Sequence, residues 1–348
     1  MDHKKRLSLL EKELEIKGLD SFFVTGDVNV SYLSGFKGYD SMLLIAPGKR
    51  YFITDSRYIE EAAGTVKGFE IELVERSIYD TVGRIAKRRH LRRMGFETMD
   101  LPYGAAGKLK SALKPVRLTG VKGLIKGMRS IKDADEIALI RKSVSLLKNV
   151  FKAAQPRIKA GTSEERLARD IEISFIEKGA KAAFDPIIAS GQNASKPHAR
   201  PSADLVSKDD MVMVDIGCSV EGYNSDMTRM VATGSVKKKL KELLGIVKEA
   251  QARAIKAIGT GAKIRDVDNA ARACIAEEGY GKYFAHATGH GIGLEVHEDP
   301  TISGISEERL AAGMVFTVEP AIYLPGVGGV RIEDMVLVTD KGCEILTK

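Results

Sequence analysis

Apolar residues recur every three or four positions in some segments and run unbroken in other, shorter ones, so the chain reads as a mixture of helices and strands. Leu7, Leu10, Leu14 and Ile16 stand among charges and predict an opening helix. Apolar runs at Ser21 to Val24, Met42 to Ile45 and Tyr51 to Ile53 predict short strands. Helical patterns separate the later strands, and Tyr103 to Leu113 reads as the last helix of this region. That alternation predicts an α/β domain over residues 1–130. The stretch from Lys122 to Lys132 is basic, contains glycine and shows little periodicity.

A new helix then starts sharply. Asp133 suits the N-cap and Glu136 follows three residues on, a variant of the capping box. Behind them Ile137, Ile140, Val144, Leu147, Phe151 and Ala154 form one apolar face of a long helix. The domain boundary is placed just before it, leaving residues 131–348 as a second domain. Further helices are predicted from Ser163 to Lys178, Lys237 to Ala257 and Ile264 to Glu278. Long strands come in pairs, Met211 to Ser219 with Asp226 to Ala232 and Met314 to Leu324 with Val330 to Val338, each pair joined by a tight glycine-containing turn. Hairpins with helices predict a largely antiparallel α+β domain.

A length of 348 residues fits two domains. No apolar run approaches the roughly 18–20 residues a membrane helix needs, and the N-terminal stretch has no signal-peptide core. Cys218, Cys274 and Cys343 are widely spaced and form no CxxC pair, so a reducing cytoplasm is the expected setting. The net charge of +7 raises the question of nucleic acid. The densest basic run, Lys87 to Arg93, lacks interleaved aromatics and reads as a solvated face instead.

The chemistry lies in the second domain. Asp215 follows four apolar residues in MVMVDIG, and Asp226 lies in NSDMTRM on the returning strand. Glu319 ends the run MVFTVE and Glu333 sits in GVRIED. Strands this apolar bury their side chains, and an ionised carboxylate is costly to bury alone. Each acid could pair with a nearby cation such as Arg229 or Arg331. Two arginines cannot neutralise four carboxylates, which favours bound metal cations.

Four of the six histidines fall in three tight segments: His198 in ASKPHARPS, His286 and His290 in HATGHGIG, and His297 in EVHEDP. Their glycine and proline neighbours predict a site lined by loops. One nitrogen among four carboxylates describes a hard, oxygen-rich site suited to Mn, Co or Zn. His286 and His290 have helical spacing, but Ala287 replaces the glutamate of a zincin motif. There is no P-loop, and Gly217 to Glu221 misses the serine-hydrolase elbow at its last position.

The order D…D…H…E…E in the contexts VDIG, SDMTR, GHGIGLEVHEDP, FTVEP and GVRIED resembles the pita-bread metallopeptidases. That family includes methionine aminopeptidase, aminopeptidase P, prolidase and creatinase. GQNASKPHARPS and, in the first domain, NVSYLSGF resemble its Xaa-Pro branch. The implied fold is a pita-bread catalytic domain preceded by a creatinase-like N-terminal domain.

The resemblance also implies roles. Two divalent ions per chain would be held by Asp215, Asp226, His290, Glu319 and Glu333, with Asp226 and Glu333 bridging. A water shared by the metals would become a hydroxide near neutral pH. Glu319 would shuttle the proton, and His198 and His297 would stabilise the tetrahedral intermediate. His286 and Arg331 would join His198 and His297 around the substrate, with Arg331 also orienting the acids. The implied activity is hydrolysis of the Xaa-Pro bond at peptide N-termini, in the manner of aminopeptidase P, with prolidase as the alternative and a non-catalytic binding module disfavoured by the retained ligands. A homodimer acting on proline-containing peptides is expected. Two departures stand out: Ala321 replaces the family's usual glycine, and Thr301 stands where many dipeptide-specific relatives carry arginine.

Overall fold

A computed structural model describes all 348 residues. The chain divides into two compact units, Met1–Arg129 and Ser130–Lys348.

The first unit runs α1 (His3–Ile16), β1 (Ser21–Val24), α2 (Asp27–Ser34), β2 (Met42–Ala46), β3 (Lys49–Thr54), α3 (Ile59–Thr65), β4 (Glu70–Leu73), α4 (Ile78–Arg88), β5 (Arg93–Glu97), α5 (Tyr103–Ala112), β6 (Arg117–Val121) and α6 (Leu124–Ser130). One mixed sheet, ordered β4-β3-β2-β1-β5-β6, carries them. Leu7, Leu10 and Leu14 are buried as their spacing requires, whereas Ile16 at the helix end is 78% exposed. Tyr103–Ala112 is not the last helix. The Lys122 to Lys132 stretch contains α6, a helix of seven residues, too short to display an apolar period.

The second unit continues with α7 (Ala134–Ala154), α8 (Glu164–Glu177), β7 (Lys181–Ala182), β8 (Ile187–Ser190), β9 (Met211–Val220), β10 (Tyr223–Ala232), α9 (Lys238–Lys256), α10 (Ile264–Glu277), β11 (Gly289–Gly291), β12 (Glu298–Ile302), β13 (Val315–Val318), β14 (Ala321–Leu324), β15 (Gly328–Arg331), β16 (Asp334–Thr339) and β17 (Gly342–Ile345). Asp133 caps α7 and the reciprocal Glu136 bond completes the capping box. Leu147 and Val150 of α7, with Leu167, Ile171 and Phe175 of α8, pack on Val212, Val214 and Ile216 of β9. Helices α9 and α10 cover Phe316, Val318 and Val336 in the same manner. One face of each sheet is thus covered by a helix pair, and β9 is buried along its whole length.

β9 and β10 form the long antiparallel hairpin expected from their sequences. The second pair differs. What reads as two continuous strands is broken after Val318 and again after Arg331. β13 pairs with β16, and β14 pairs with β15 in a separate two-stranded sheet. Pro320 has no N–H to give a ladder, which fits a break at Glu319–Pro320. The breaks leave Glu319 and Glu333 between strands, outside both ladders. No helix of the chain is long and apolar enough to cross a membrane.

Candidate metal centre

Strand register places the first two acids. Asp215 lies opposite Thr228 across β9 and β10, and Asp226 lies two residues before Thr228. Residues opposite each other, or two apart on one strand, share a face, so both carboxylates point the same way. Glu319 and Glu333 reach that face from the two breaks. The Glu319 N–H donates to the Thr288 carbonyl at 2.8 Å, and the Glu333 N–H donates to the Thr228 carbonyl at 3.2 Å.

His290 arrives on β11, between β12 and β13. The glycines beside it explain why this stretch is not a helix. A Cβ at Gly289 would lie 1.8 Å from the Thr317 carbonyl oxygen, and one at Gly291 would lie 2.2 Å from that of Asp299. Only bare backbone admits strands this close. The His290 Nε2 then sits 3.4 Å from Glu319 Oε1 and 3.8 Å from Asp226 Oδ2. Ligand atoms of Asp226, His290 and Glu333 lie within 4.8 Å of one another.

One cation enters the cluster. Arg331 is buried and donates to Asp215 Oδ2, to the Thr228 hydroxyl at 3.1 Å, to the Tyr323 hydroxyl at 2.6 Å and to the Pro197 carbonyl at 3.0 Å. Thr228 in turn donates to Glu333 Oε2 at 2.7 Å. Arg331 thus ties the Asp215 carboxylate to Thr228, Tyr323 and the loop that carries Pro197. Arg229, the other candidate partner, pairs with Asp334 at 2.7 Å. Four carboxylates thus face a single guanidinium.

That surplus shows in the titration of the cluster. Burial, followed by repulsion from Asp215 and Glu319, raises the Asp226 carboxyl well above its usual range. Burial and repulsion from Asp226 do the same to Glu333. Burial pushes Glu319 up to about 7 against the pull of Arg331. Burial pushes His290 down to about 4, so it stays neutral, as a metal ligand must. Asp215 Oδ1 and Asp226 Oδ1 are buried without any hydrogen-bond partner. Two orphaned carboxylate oxygens, a neutral imidazole and further acids with an unmet need for positive charge fit divalent cations.

A pH dependence follows for the metal-free protein. A carboxyl whose folded pKa is raised contributes stability below its unfolded value and loses it as pH rises through the folded value. For Glu319 that loss runs from its ordinary value of 4.5 to about 7, and Asp226 and Glu333, raised well above their ordinary values, carry it on to higher pH. His286 and His290, both pushed down to about 4, act oppositely, but only below their ordinary value of 6.5. The melting temperature of the metal-free protein should therefore fall as pH rises from about 6.5 to 8, and added Mn²⁺ should abolish the slope. Thermal melts across this range check it; a flat or rising profile without metal would count against the raised carboxyls.

The other histidines stand further out. The His297 ring lies 4.2 Å from that of His290, centroid to centroid. His286 Nε2 is 3.2 Å from the Tyr323 hydroxyl, and Arg272 holds the His286 carbonyl. His198 is exposed on its loop. Sequence reasoning missed Tyr323, Thr228 and Thr317, whose hydroxyls tie Arg331, Glu333, His290 and Glu319 together. It also missed the buried Asp268 of α10, which accepts from Arg272 and Thr288. Hydroxyls inside apolar strands carry no distinguishing pattern; the i, i+4 pair Asp268–Arg272 did offer one.

Known proteins resemble the chain over its whole length. Residues 138–340 match the family described as Metallopeptidase family M24, and residues 6–131 match the Creatinase/Prolidase N-terminal domain. An Xaa-Pro dipeptidase of Pyrococcus furiosus is 37% identical over 348 residues, covering 99% of this chain and 98% of that protein. The solved structure of an Xaa-Pro dipeptidase from Bacillus anthracis superposes with a TM-score of 0.96 at 36% identity, covering 99% and 98% of the two chains. An X-Pro aminopeptidase from Thermotoga maritima gives 0.89 at 35% identity, covering 97% of each. The chain is a member of metallopeptidase family M24, with a creatinase/prolidase N-terminal domain ahead of its pita-bread peptidase domain.

Proposed function

We propose that this chain is an Xaa-Pro dipeptidase, cleaving the bond between a first residue and a C-terminal proline. The observation that carries this reading is full-length likeness to Xaa-Pro dipeptidases in both sequence and structure. Asp215, Asp226, His290, Glu319 and Glu333 would hold two divalent ions, Mn, Co or Zn, with Asp226, His290 and Glu333 already grouped within ligand distance of one another. Bound there, the ions supply Lewis acidity toward water and the scissile carbonyl.

The chain's own groups do the rest. Glu319, with Oε1 held 3.4 Å from His290 Nε2, takes a proton from the attacking water and returns it to the departing proline nitrogen. His297, its ring tilted against that of His290, and His198 donate hydrogen bonds to the oxygen and nitrogen of the bond being broken. Arg331 fixes Asp215 directly and Glu333 through Thr228, so the acids keep one geometry through the reaction.

One observation favours a second reading, an aminopeptidase that prefers longer Xaa-Pro-Yaa peptides. A dipeptide presents a free proline carboxylate beside the acids, and holding it calls for a cation or several N–H donors. Thr301 pairs with His290 across β11 and β12, so both residues share a face, and it offers only a hydroxyl. The test is kcat/KM for Xaa-Pro against Xaa-Pro-Yaa with Mn, Co and Zn. The dipeptidase reading expects dipeptides to be favoured by about 10-fold or more, and Thr301→Arg to widen that margin by a further ~10-fold, the equivalent of about 1.4 kcal/mol. Preference for the longer peptide would replace it with the aminopeptidase reading.

A further inference from the structure

The segment from Gly191 to Ser202 carries His198, and it is fastened to one carboxylate. Glu164 is the first residue of α8 and is fully buried. Its Oε1 accepts from the Ser190 N–H at 2.6 Å and the Ser190 hydroxyl at 3.0 Å. Its Oε2 accepts from Asn193 Nδ2 at 2.8 Å, the Ser202 N–H at 3.1 Å and the Ser202 hydroxyl at 2.9 Å. Ser190 precedes the loop and Ser202 closes it, so a single side chain clamps both ends. The N-terminus of α8 adds positive potential at the same place.

The middle of the loop is fixed from the opposite side. The Pro197 carbonyl, one residue before His198, accepts from Arg331, which also holds Asp215. The Ala194 carbonyl approaches Gly329 so closely that a Cβ there would lie 2.0 Å away. His198 is exposed, so no burial holds its ring. Its place relative to the acids is therefore set by the backbone, and the backbone by Glu164 and Arg331.

We propose that Glu164 is the positioning residue for His198, a buried clamp that sets the imidazole against the acid cluster without touching substrate. The proposal rests on the catalytic reading of His198 given above. Glutamine at this position keeps the shape but turns one acceptor oxygen into a donor that faces donors.

The test combines kinetics with loop dynamics in the metal-loaded, full-length protein. Glu164→Gln should lower kcat by about 10²-fold, the scale of a misplaced reacting group, with KM and metal content little changed. Hydrogen exchange at residues 190–202 should quicken while β9 and β10 stay protected. In the His198→Ala background Glu164→Gln should cost no more than about twofold further, because the group it positions is gone. Ser202→Ala, which removes one of the five donors to Glu164 together with the acceptor of the exposed Asp204 N–H, should show the same pattern at smaller size and serves if Glu164→Gln does not fold. An equal loss with and without His198, or unaltered loop exchange, would overturn the proposal. Absence of Xaa-Pro hydrolysis in the unmodified protein would instead sink the functional reading, and the exchange data would still decide the clamp.

Discussion

Glu333→Ala is expected to abolish metal retention and to reduce kcat/KM by on the order of 10³-fold, about 4 kcal/mol of transition-state stabilisation. Glu333 sits in the break between β15 and β16, outside the ladder, with one oxygen accepting from Thr228 and its carboxylate within ligand distance of Asp226 and His290. Alanine leaves Asp226 and His290 without the third member of that group. The backbone should survive, because the Glu333 N–H, not its side chain, joins β10. Metal content after dialysis and steady-state kinetics of the same sample check it. Wild-type activity in a variant that retains no metal would show that the acids serve the fold and not the chemistry.

Arg331→Met is expected to give the largest loss of stability, about 3–5 kcal/mol in the metal-free protein. The guanidinium is buried and answers Asp215, Tyr323, Thr228 and the Pro197 carbonyl together. Methionine fills much of the same volume, so the loss reports uncompensated polar groups more than a cavity. The Asp215 carboxylate, already holding one oxygen without a partner, would lose its only cation. Urea denaturation with and without Mn²⁺ measures it. The metal should recover part of the loss by supplying positive charge to the acids. A midpoint equal to wild type would mean that Arg331 does not compensate the cluster.

Much of this was legible in the chain because the strongest patterns are local. The capping box at Asp133 and Glu136, the 3,4 spacing behind it and the apolar run ending in Asp215 each have one sensible folded meaning. The site residues stood out for a physical reason, since a carboxylate within an apolar strand needs an explanation that a surface acid does not. What was hidden is long-range. In MVFTVEPAIYL Pro320 marks where a ladder is interrupted, but nothing shows that the chain resumes in another sheet, because both halves are apolar. Nothing in EER marks Glu164 as buried, because its five donors lie at Ser190, Asn193 and Ser202, far along the chain. The pairing alternatives for Arg229 and Arg331 were likewise a matter of tertiary distance. Arg331 took Asp215, and Arg229 took Asp334, outside the ligand set.

The account turns on whether these acids hold catalytic metal. The direct measurement strips the protein with a chelator, titrates Mn²⁺ back by calorimetry and follows hydrolysis of an Xaa-Pro dipeptide in the same samples. The account predicts two ions bound per chain, no hydrolysis without them and activity that returns as the sites fill. Full hydrolysis by the stripped protein, or titration with no binding at all, would contradict it.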